Sequence, residues 1–186
     1  WEIASNYTFE NGMTGYATIQ SGYQSGQYPA RPYCLFGDIE CFVASDNITA
    51  VNYEVGIKGR VNEYFDVSVA VFNTDFDDLP YQVSKVTENG FETDNQIVTQ
   101  TSRGIELDTT FNYGNFSMMA SVGYMDVDVD EQDGYKPVAP LTPDLTLAIG
   151  PSYTFDLEGG DSIRVRADYS YRSDMYGEPS SLASRQ

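Results

Sequence analysis

From Arg103 to Tyr113 apolar and polar side chains alternate without a break: Ile105, Leu107, Thr109, Phe111 and Tyr113 are interleaved with Glu106, Asp108, Thr110 and Asn112. Successive side chains of a strand point to opposite faces, so one face is apolar and the other polar and charged. Ser162 to Arg172 repeats the pattern, setting Ile163, Val165, Ala167, Tyr169 and Tyr171 against Arg164, Arg166, Asp168, Ser170 and Arg172. The same test sorts Tyr53, Val55, Ile57 and Val61 from Glu54, Gly56, Lys58 and Arg60, and Phe116, Met118, Ala120, Val122 and Tyr124 from Ser117, Ser121 and Gly123. It also sorts Leu145, Leu147, Ile149, Tyr153 and Phe155 from Thr146, Ala148, Gly150, Ser152 and Thr154, although Pro151 lies mid-strand, where its missing N–H should remove a ladder bond. Two stretches are ambiguous: residues 67–76 carry apolar side chains on both faces, and residues 15–23 do not declare which face is which.

Eight strand-like segments follow, joined alternately by short and long connections. Short turns are predicted at Glu10 to Gly12, Asn62 to Tyr64, Gly114-Asn115 and Asp156 to Asp161, all rich in hairpin residues. The long connections are residues 24–50 and 130–142, and Thr87 to Gly90 reads as a hairpin tip on strands that project further. Segments of about ten residues with a two-residue period, with short turns on one side and long loops on the other, are the signature of a transmembrane β-barrel. Aromatic pairs at strand ends (Tyr7 and Phe9, Phe111 and Tyr113, Tyr153 and Phe155) would then meet the headgroup layer. Two alternatives stay open: a soluble carbohydrate-binding β-sandwich, since soluble sheets also alternate, and a self-contained eight-stranded barrel acting as anchor or adhesin.

Composition narrows the functions. No run of about 18 apolar residues exists to span a bilayer as a helix. A net charge of -18 repels phosphates, so nucleic acid is not an expected partner. The absence of His removes the usual general base and zinc ligand, which argues against an enzyme. Cys34 and Cys41 lie in a Gly-, Pro- and Tyr-rich stretch and are expected to form a local disulfide, the mark of an oxidising compartment. The acidic run Asp126, Asp128, Asp130, Glu131 and Asp133, followed by Gly134, lacks a Gly at the sixth position and a Glu at the twelfth of a calcium loop and reads as a solvated strand end. No role is assigned to the sequons at Asn6, Asn47 and Asn115. Neither the opening Trp1 to Ser5 nor the polar Ser181 to Gln186 has the character of a natural terminus, so the sequence is expected to be cut from something longer.

Five segments in order carry a family resemblance. Asn52-Tyr53-Glu54-Val55-Gly56-Ile57-Lys58-Gly59-Arg60 resembles a strand of the barrel of TonB-dependent outer-membrane receptors. Ala70 to Leu79 and Ser102 to Asp108 are similar to two further strands, Ser21 to Gly26 to a loop entry, and Ala167 to Ser173 with Tyr176-Gly177 to a strand and loop that follow. The resemblance implies all-β architecture: a transmembrane antiparallel barrel of 22 strands around a plug, of which this chain is about eight strands in a single domain. Plug and remaining strands are absent from it. It also implies a location in the bacterial outer membrane with the long loops extracellular, and import of a scarce nutrient with energy relayed by TonB. The cargo would be a ferric siderophore, cobalamin or an oligosaccharide. Expected partners are outer-membrane lipid, the protein's own plug, the TonB complex and a small-molecule ligand; no cofactor is implied. Glu54, Lys58, Arg60, Glu106, Asp108, Arg164, Arg166, Asp168 and Arg172 are the candidates to face the lumen and plug. Tyr23, Tyr28, Arg31, Tyr33 and Phe36, around the expected disulfide, are the candidates to grip a ligand.

Overall fold

The structure, a computed structural model, describes residues 1–26, 46–87, 90–131 and 136–177, with only the backbone path for 82–87 and 90–95. Nine strands form one antiparallel sheet: β1 Glu2–Thr8, β2 Thr14–Gln24, β3 Ile48–Asn62, β4 Phe65–Thr87, β5 Gly90–Tyr113, β6 Phe116–Val129, β7 Leu145–Asp156, β8 Ser162–Arg166 and β9 Tyr169–Arg172. Each strand pairs with the next in sequence from β1 to β8, and β9 pairs with β7. No second sheet covers this layer, and Val98 and Val129 are the buried hydrophobic side chains among the described residues. A sandwich core is therefore missing. Closure into a small barrel is missing as well, because β1 pairs only with β2 among the described residues. No described helix is long and apolar enough to cross a membrane, a fact that says nothing about strands.

The sequence predicts one strand from Ser162 to Arg172, and the structure divides it at Ala167-Asp168 into β8 and β9. Pro151 is the cause. Along β7 the backbone groups of alternate residues point to alternate neighbours, and Thr154 N donates to Asn115 O beside β6, so Pro151 faces β8. Its carbonyl accepts the Ala167 N–H at 3.1 Å, but it has no N–H to return. The ladder opens there and resumes in the same register, Ser152 opposite Arg166 and Ile149 opposite Tyr169.

Register also decides the two ambiguous stretches. Val67, Val69 and Val71 stand opposite Thr109, Leu107 and Ile105 on the apolar face, whereas Phe72 and Phe76 stand opposite Gly104 and Gln100 on the other. In β2, Ala17 and Ile19 pair with Val55 and Tyr53, while Tyr16 and Thr18 pair with Gly56 and Glu54. The inward rings use glycine as a seat. A Cβ on Gly104 would lie 2.5 Å from the Phe72 ring and 2.6 Å from Tyr124 O, and one on Gly56 would lie 2.6 Å from the Tyr16 ring. Such aromatic cover restores the packing a strand glycine lacks.

Both ends of the sheet match the predicted asymmetry. At one end the connections are residues 9–13, 63–64, 114–115 and 157–161, and at the other they are 25–47 and 130–144, while β4 and β5 run on to pair Thr87 with Gly90. Aromatic pairs ring the short-turn end: Tyr7 with Phe9, Tyr64 with Tyr113, Phe111 with Phe116 and Tyr153 with Phe155 have centroids 5.0, 5.2, 6.1 and 4.7 Å apart. From Ile105 to Tyr113 the apolar face of β5 runs roughly 27 Å along the strand, or about 20 Å of depth at a barrel's tilt, close to the band a membrane barrel presents.

The glycine seats make a prediction for the whole barrel protein purified in detergent. Gly104→Ala should destabilise it by roughly 1–3 kcal/mol, because neither the Tyr124 carbonyl nor the packed Phe72 ring can withdraw freely. Gly22→Ala, where an added Cβ would meet nothing within 4 Å, should leave the unfolding temperature unchanged. The two temperatures can be compared by the heat-dependent gel shift of folded barrels.

Candidate functional site

Pairing places Glu54, Lys58, Arg60, Glu106, Asp108, Arg164, Arg166 and Arg172 on one face of the sheet. Glu54, Lys58 and Arg60 stand opposite Phe72, Ser68 and Asp66, and those residues of β4 continue to Gly104, Asp108 and Thr110 of β5. Arg164 and Arg166 stand opposite Thr154 and Ser152, and Arg172 opposite Thr146. Asp168, in the break between β8 and β9, reaches the same face through Arg166. A broad concavity of about 630 Å³ opens on this face, and Asp66, Asp108, Thr110, Ser121, Arg166 and Asp168 line it.

Several of these charges already have partners within the sheet. Arg166 grips Asp168 with two nitrogens, Nε at 2.8 and 3.0 Å and Nη2 at 2.6 Å. Gly150 makes room for that pair, since a Cβ there would lie 3.0 Å from Asp168 Oδ1 and 3.1 Å from Arg166 Nη2. Arg60 Nε donates to Asp66 Oδ1 at 3.2 Å, and Arg164 Nε to Thr154 Oγ1 at 3.3 Å. Tyr16 donates its hydroxyl proton to Glu54 Oε1 at 2.7 Å, while Lys58 Nζ lies 5.4 Å from the centre of the Tyr16 ring. Among the described residues Lys58, Arg164 and Arg172 belong to no ion pair. Sequence reasoning missed Tyr16, Asp66 and Gly150. Tyr16 and Asp66 flank or fall in stretches whose face is ambiguous from alternation, and Gly150 declares its purpose only through the pair that lies over it.

Of the expected ligand-gripping residues, Tyr28, Arg31, Tyr33 and Phe36 lie outside the described residues, as do Cys34 and Cys41 with the expected disulfide. Tyr23 is described. It ends β2 opposite Thr49 on the apolar face, is largely exposed, and is not brought to the concavity. Beyond Tyr124 and Ile105 the apolar face turns polar: Arg103, Asn73, Asp75, Thr101, Asp126 and Asp128 follow in register. Lys136, in the connection after β6, bonds Asp128 and holds its carboxyl below the usual carboxylate range, tying that connection to the strand.

The apolar face bears Ile3, Ile19, Val55, Ile57, Val71, Ile105, Ile163 and Val165, each more than a third exposed. Water does not support such a surface; a hydrocarbon surround does. One polar face, one apolar face of bilayer height and fully paired interior strands define a sheet of a transmembrane β-barrel. The family profile described as "TonB dependent receptor-like, beta-barrel" matches residues 1–185. This chain belongs to the TonB-dependent receptor β-barrel family, whose members reside in the bacterial outer membrane.

Solved structures share the fold. The ferric yersiniabactin uptake receptor FyuA from Yersinia pestis superposes with a TM-score of 0.74 at 14% identity over 96% of this chain and 26% of its own. The copper transporter OprC gives 0.66 at 18% identity over 88% and 25%, and the FrpB iron transporter from Neisseria meningitidis (F3-3 variant) 0.65 at 14% over 97% and 27%. The chain thus spans about a quarter of the length of the receptors it resembles. No curated protein sequence matches it.

Face assignment predicts opposite outcomes for neighbouring residues. In the whole protein refolded into lipid vesicles, Val69→Arg should cost about 2–4 kcal/mol of folding free energy, and Ser68→Arg, one residue away, close to none. Similar losses in both, read from urea titration, would contradict the two-face assignment.

Proposed function

We propose that the whole protein is an outer-membrane active importer of a scarce nutrient, a ferric siderophore, with energy relayed by TonB. In this reading the charged face lines the barrel lumen and meets the plug, and β1 and β8–β9 pair with the barrel's remaining strands, because an unpaired strand edge is not tolerated in hydrocarbon. The long connections face outward, as in outer-membrane barrels generally. The observation that carries the reading is the gathering of the candidate charges on one face of a family barrel sheet. Cargo preference draws on the similar structures, of which one is a ferric yersiniabactin uptake receptor and another the siderophore receptor PirA from Acinetobacter baumannii.

Within the lumen, charges that are already paired and charges that are not have different tasks. Arg60 with Asp66 and Arg166 with Asp168 keep the wall polar and locally satisfied. Lys58, Arg164 and Arg172 are the cations left to donate to plug carboxylates or carbonyls, and such charge-assisted bonds hold the plug without a greasy interface that would fix it. This shifts weight from Arg166, whose fork is occupied by Asp168, to Arg164 and Arg172.

Uptake of ferric siderophores by cells that depend on this receptor tests the proposal. Transport should vanish without TonB, and Arg164→Ala with Arg172→Ala should lower uptake about tenfold at normal receptor abundance. TonB-independent accumulation would refute the importer reading; undiminished uptake and undiminished protection of the plug from protease in the double variant would refute the plug-holding role.

A further inference from the structure

We propose that the outer end of the charged face is a recognition site for one uncharged arm of the cargo, an apolar body carrying a hydrogen-bond donor that Gln96 Oε1 accepts. Recognition of this kind rests on the importer reading and names the chemical class of what is imported. The face itself changes character along the strands. At Glu106 and Asp108 it is charged, but from Gly104 out to Gln96 the paired residues of β4, β5 and β6 place no charge on it. Phe76, Leu79, Val98, Met125, Val127 and Val129 stand there instead, set among Thr74, Tyr81, Gln96, Gln100 and Ser102. The charges of these strand segments lie on the opposite side: Asp75, Asp126, Asp128 and Arg103, which alone among the described strand cations is on the apolar face.

A bulge builds the polar cluster. Between Phe76 and Leu79 β4 carries one residue more than β5, and Asp78 takes a left-handed φ of 62° there. Odd-numbered residues of β4, which belong to the apolar face before the bulge, therefore reach the other face after it. Tyr81 is brought in this way to stand opposite Gln96. Its hydroxyl does not serve that residue. It donates to Gln100 Oε1, and Gln100 Nε2 donates in turn to Ser102 Oγ at 3.1 Å, so the relay runs along β5 away from Gln96. Gln96 is 7% exposed, and no donor among the described residues reaches its Oε1. A buried carbonyl without a partner costs free energy, and one kept beside a satisfied relay is an acceptor ready for a donor from outside.

Charge selects the occupant. With no cation on this patch an anionic group would lose its hydration without compensation, and with no carboxylate a cation would do the same. A polyhydroxylated group would leave most of its hydroxyls against Leu79 and Phe76, again unpaired. What fits is an apolar or aromatic arm with an N–H or O–H, laid over Leu79 and Phe76 and bonded to Gln96. Tyr81 is only partly buried, so the way in lies along its ring. Position agrees with this occupant, because the patch lies beyond the apolar band at the end with the long connections, which the proposed function places outward.

Binding of ferric chelates to the whole receptor in detergent, read from quenching of its intrinsic fluorescence, tests the site with three probes: ferric yersiniabactin and ferrichrome, both uncharged, and ferric enterobactin, a trianion. An uncharged chelate should bind best. Gln96→Leu should weaken that chelate about tenfold. Because it removes an unpaired carbonyl, it should also slow amide hydrogen exchange at residues 96–100 about tenfold. A merely structural glutamine would not couple a gain in local stability to a loss of affinity. Leu79→Lys, which sets a charge beside the acceptor, should turn the preference towards the trianion; the heat-dependent gel shift confirms folding of each variant. Preference of the wild type for ferric enterobactin overturns the site, and so does undiminished binding by Gln96→Leu. Unchanged or faster exchange in Gln96→Leu would mean that Oε1 already has a partner, which overturns it as well. Binding of none of the three chelates defeats the siderophore reading and the site with it, whereas binding that ignores Gln96 defeats the site alone.

Discussion

The ladder register is the constraint on which everything else in this sheet depends. In hydrocarbon each backbone N–H and C=O must find a partner in a neighbouring strand, and the side-chain period of two ties each pairing to a choice of face. A slip of one residue in the pairing of β5 would put Glu106 and Asp108 on the apolar face and Ile105 and Leu107 on the charged one. The short turns hold that register. Asn11 and Asn62 each accept a backbone N–H two residues on, from Met13 at 3.1 Å and Tyr64 at 2.9 Å, and Gly114 takes the left-handed φ of 55° that a two-residue turn demands.

Where register is broken, the breaks fall at the margins of the apolar band. One bulge lies between Arg60 and Asn62 beside a short turn, and another between Phe76 and Leu79, where Asp78 takes a φ of 62°. The second bulge marks the point where β4 and β5 leave the band. Beyond it Val98 of β5, Val129 of β6 and Pro137 of the connection after β6 are buried, and Tyr81 bonds Gln100, so the burial in this sheet gathers outside the band. Only the opening at Ala167-Asp168 falls within the run of pairing, and there Pro151 removes the donor while the register survives on either side.

Alternation alone made the two faces legible in β3, β5, β6, β7 and the β8–β9 segment, because within the band each sets a largely apolar face against a largely polar one, Met119 opposite Thr110 and Gly150 being an apolar side chain on the polar face of β6. It failed at residues 67–76 for a physical reason. Phe72 and Phe76 are inward aromatics, and Phe72 is there to cover Gly104, a task set by a residue on another strand. Tyr16 over Gly56 hid the face of β2 in the same way. The candidate charges could be sorted to a face from sequence, but not into paired and unpaired groups. Arg166 with Asp168 depends on the absence of a Cβ at position 150, and Arg60 with Asp66 on pairing across the turn between β3 and β4. The lone cation on the apolar face was quoted within a family motif, yet its isolation becomes visible only when all the other strand cations are placed on the far side.

The two faces solve opposite problems with the same backbone. The apolar face meets a fluid partner and gains from area, so its side chains need size and only loosely specified shape. In the proposed importer the charged face meets a plug that must move, and such a face cannot rely on area, because a large dry contact would hold the plug in place. Exposed ion pairs such as Arg60–Asp66 and Arg166–Asp168 suit that need: they keep water at the wall, leave no buried charge uncompensated when a partner departs, and let Arg164, Arg172 and Lys58 exchange partners at little net change in free energy. On this argument the excess of acid in the chain is concentrated beyond the band and in the loops, while five of the described strand cations share the charged face. A local balance of charge on that wall, rather than the net charge of the protein, would set how readily the plug is released.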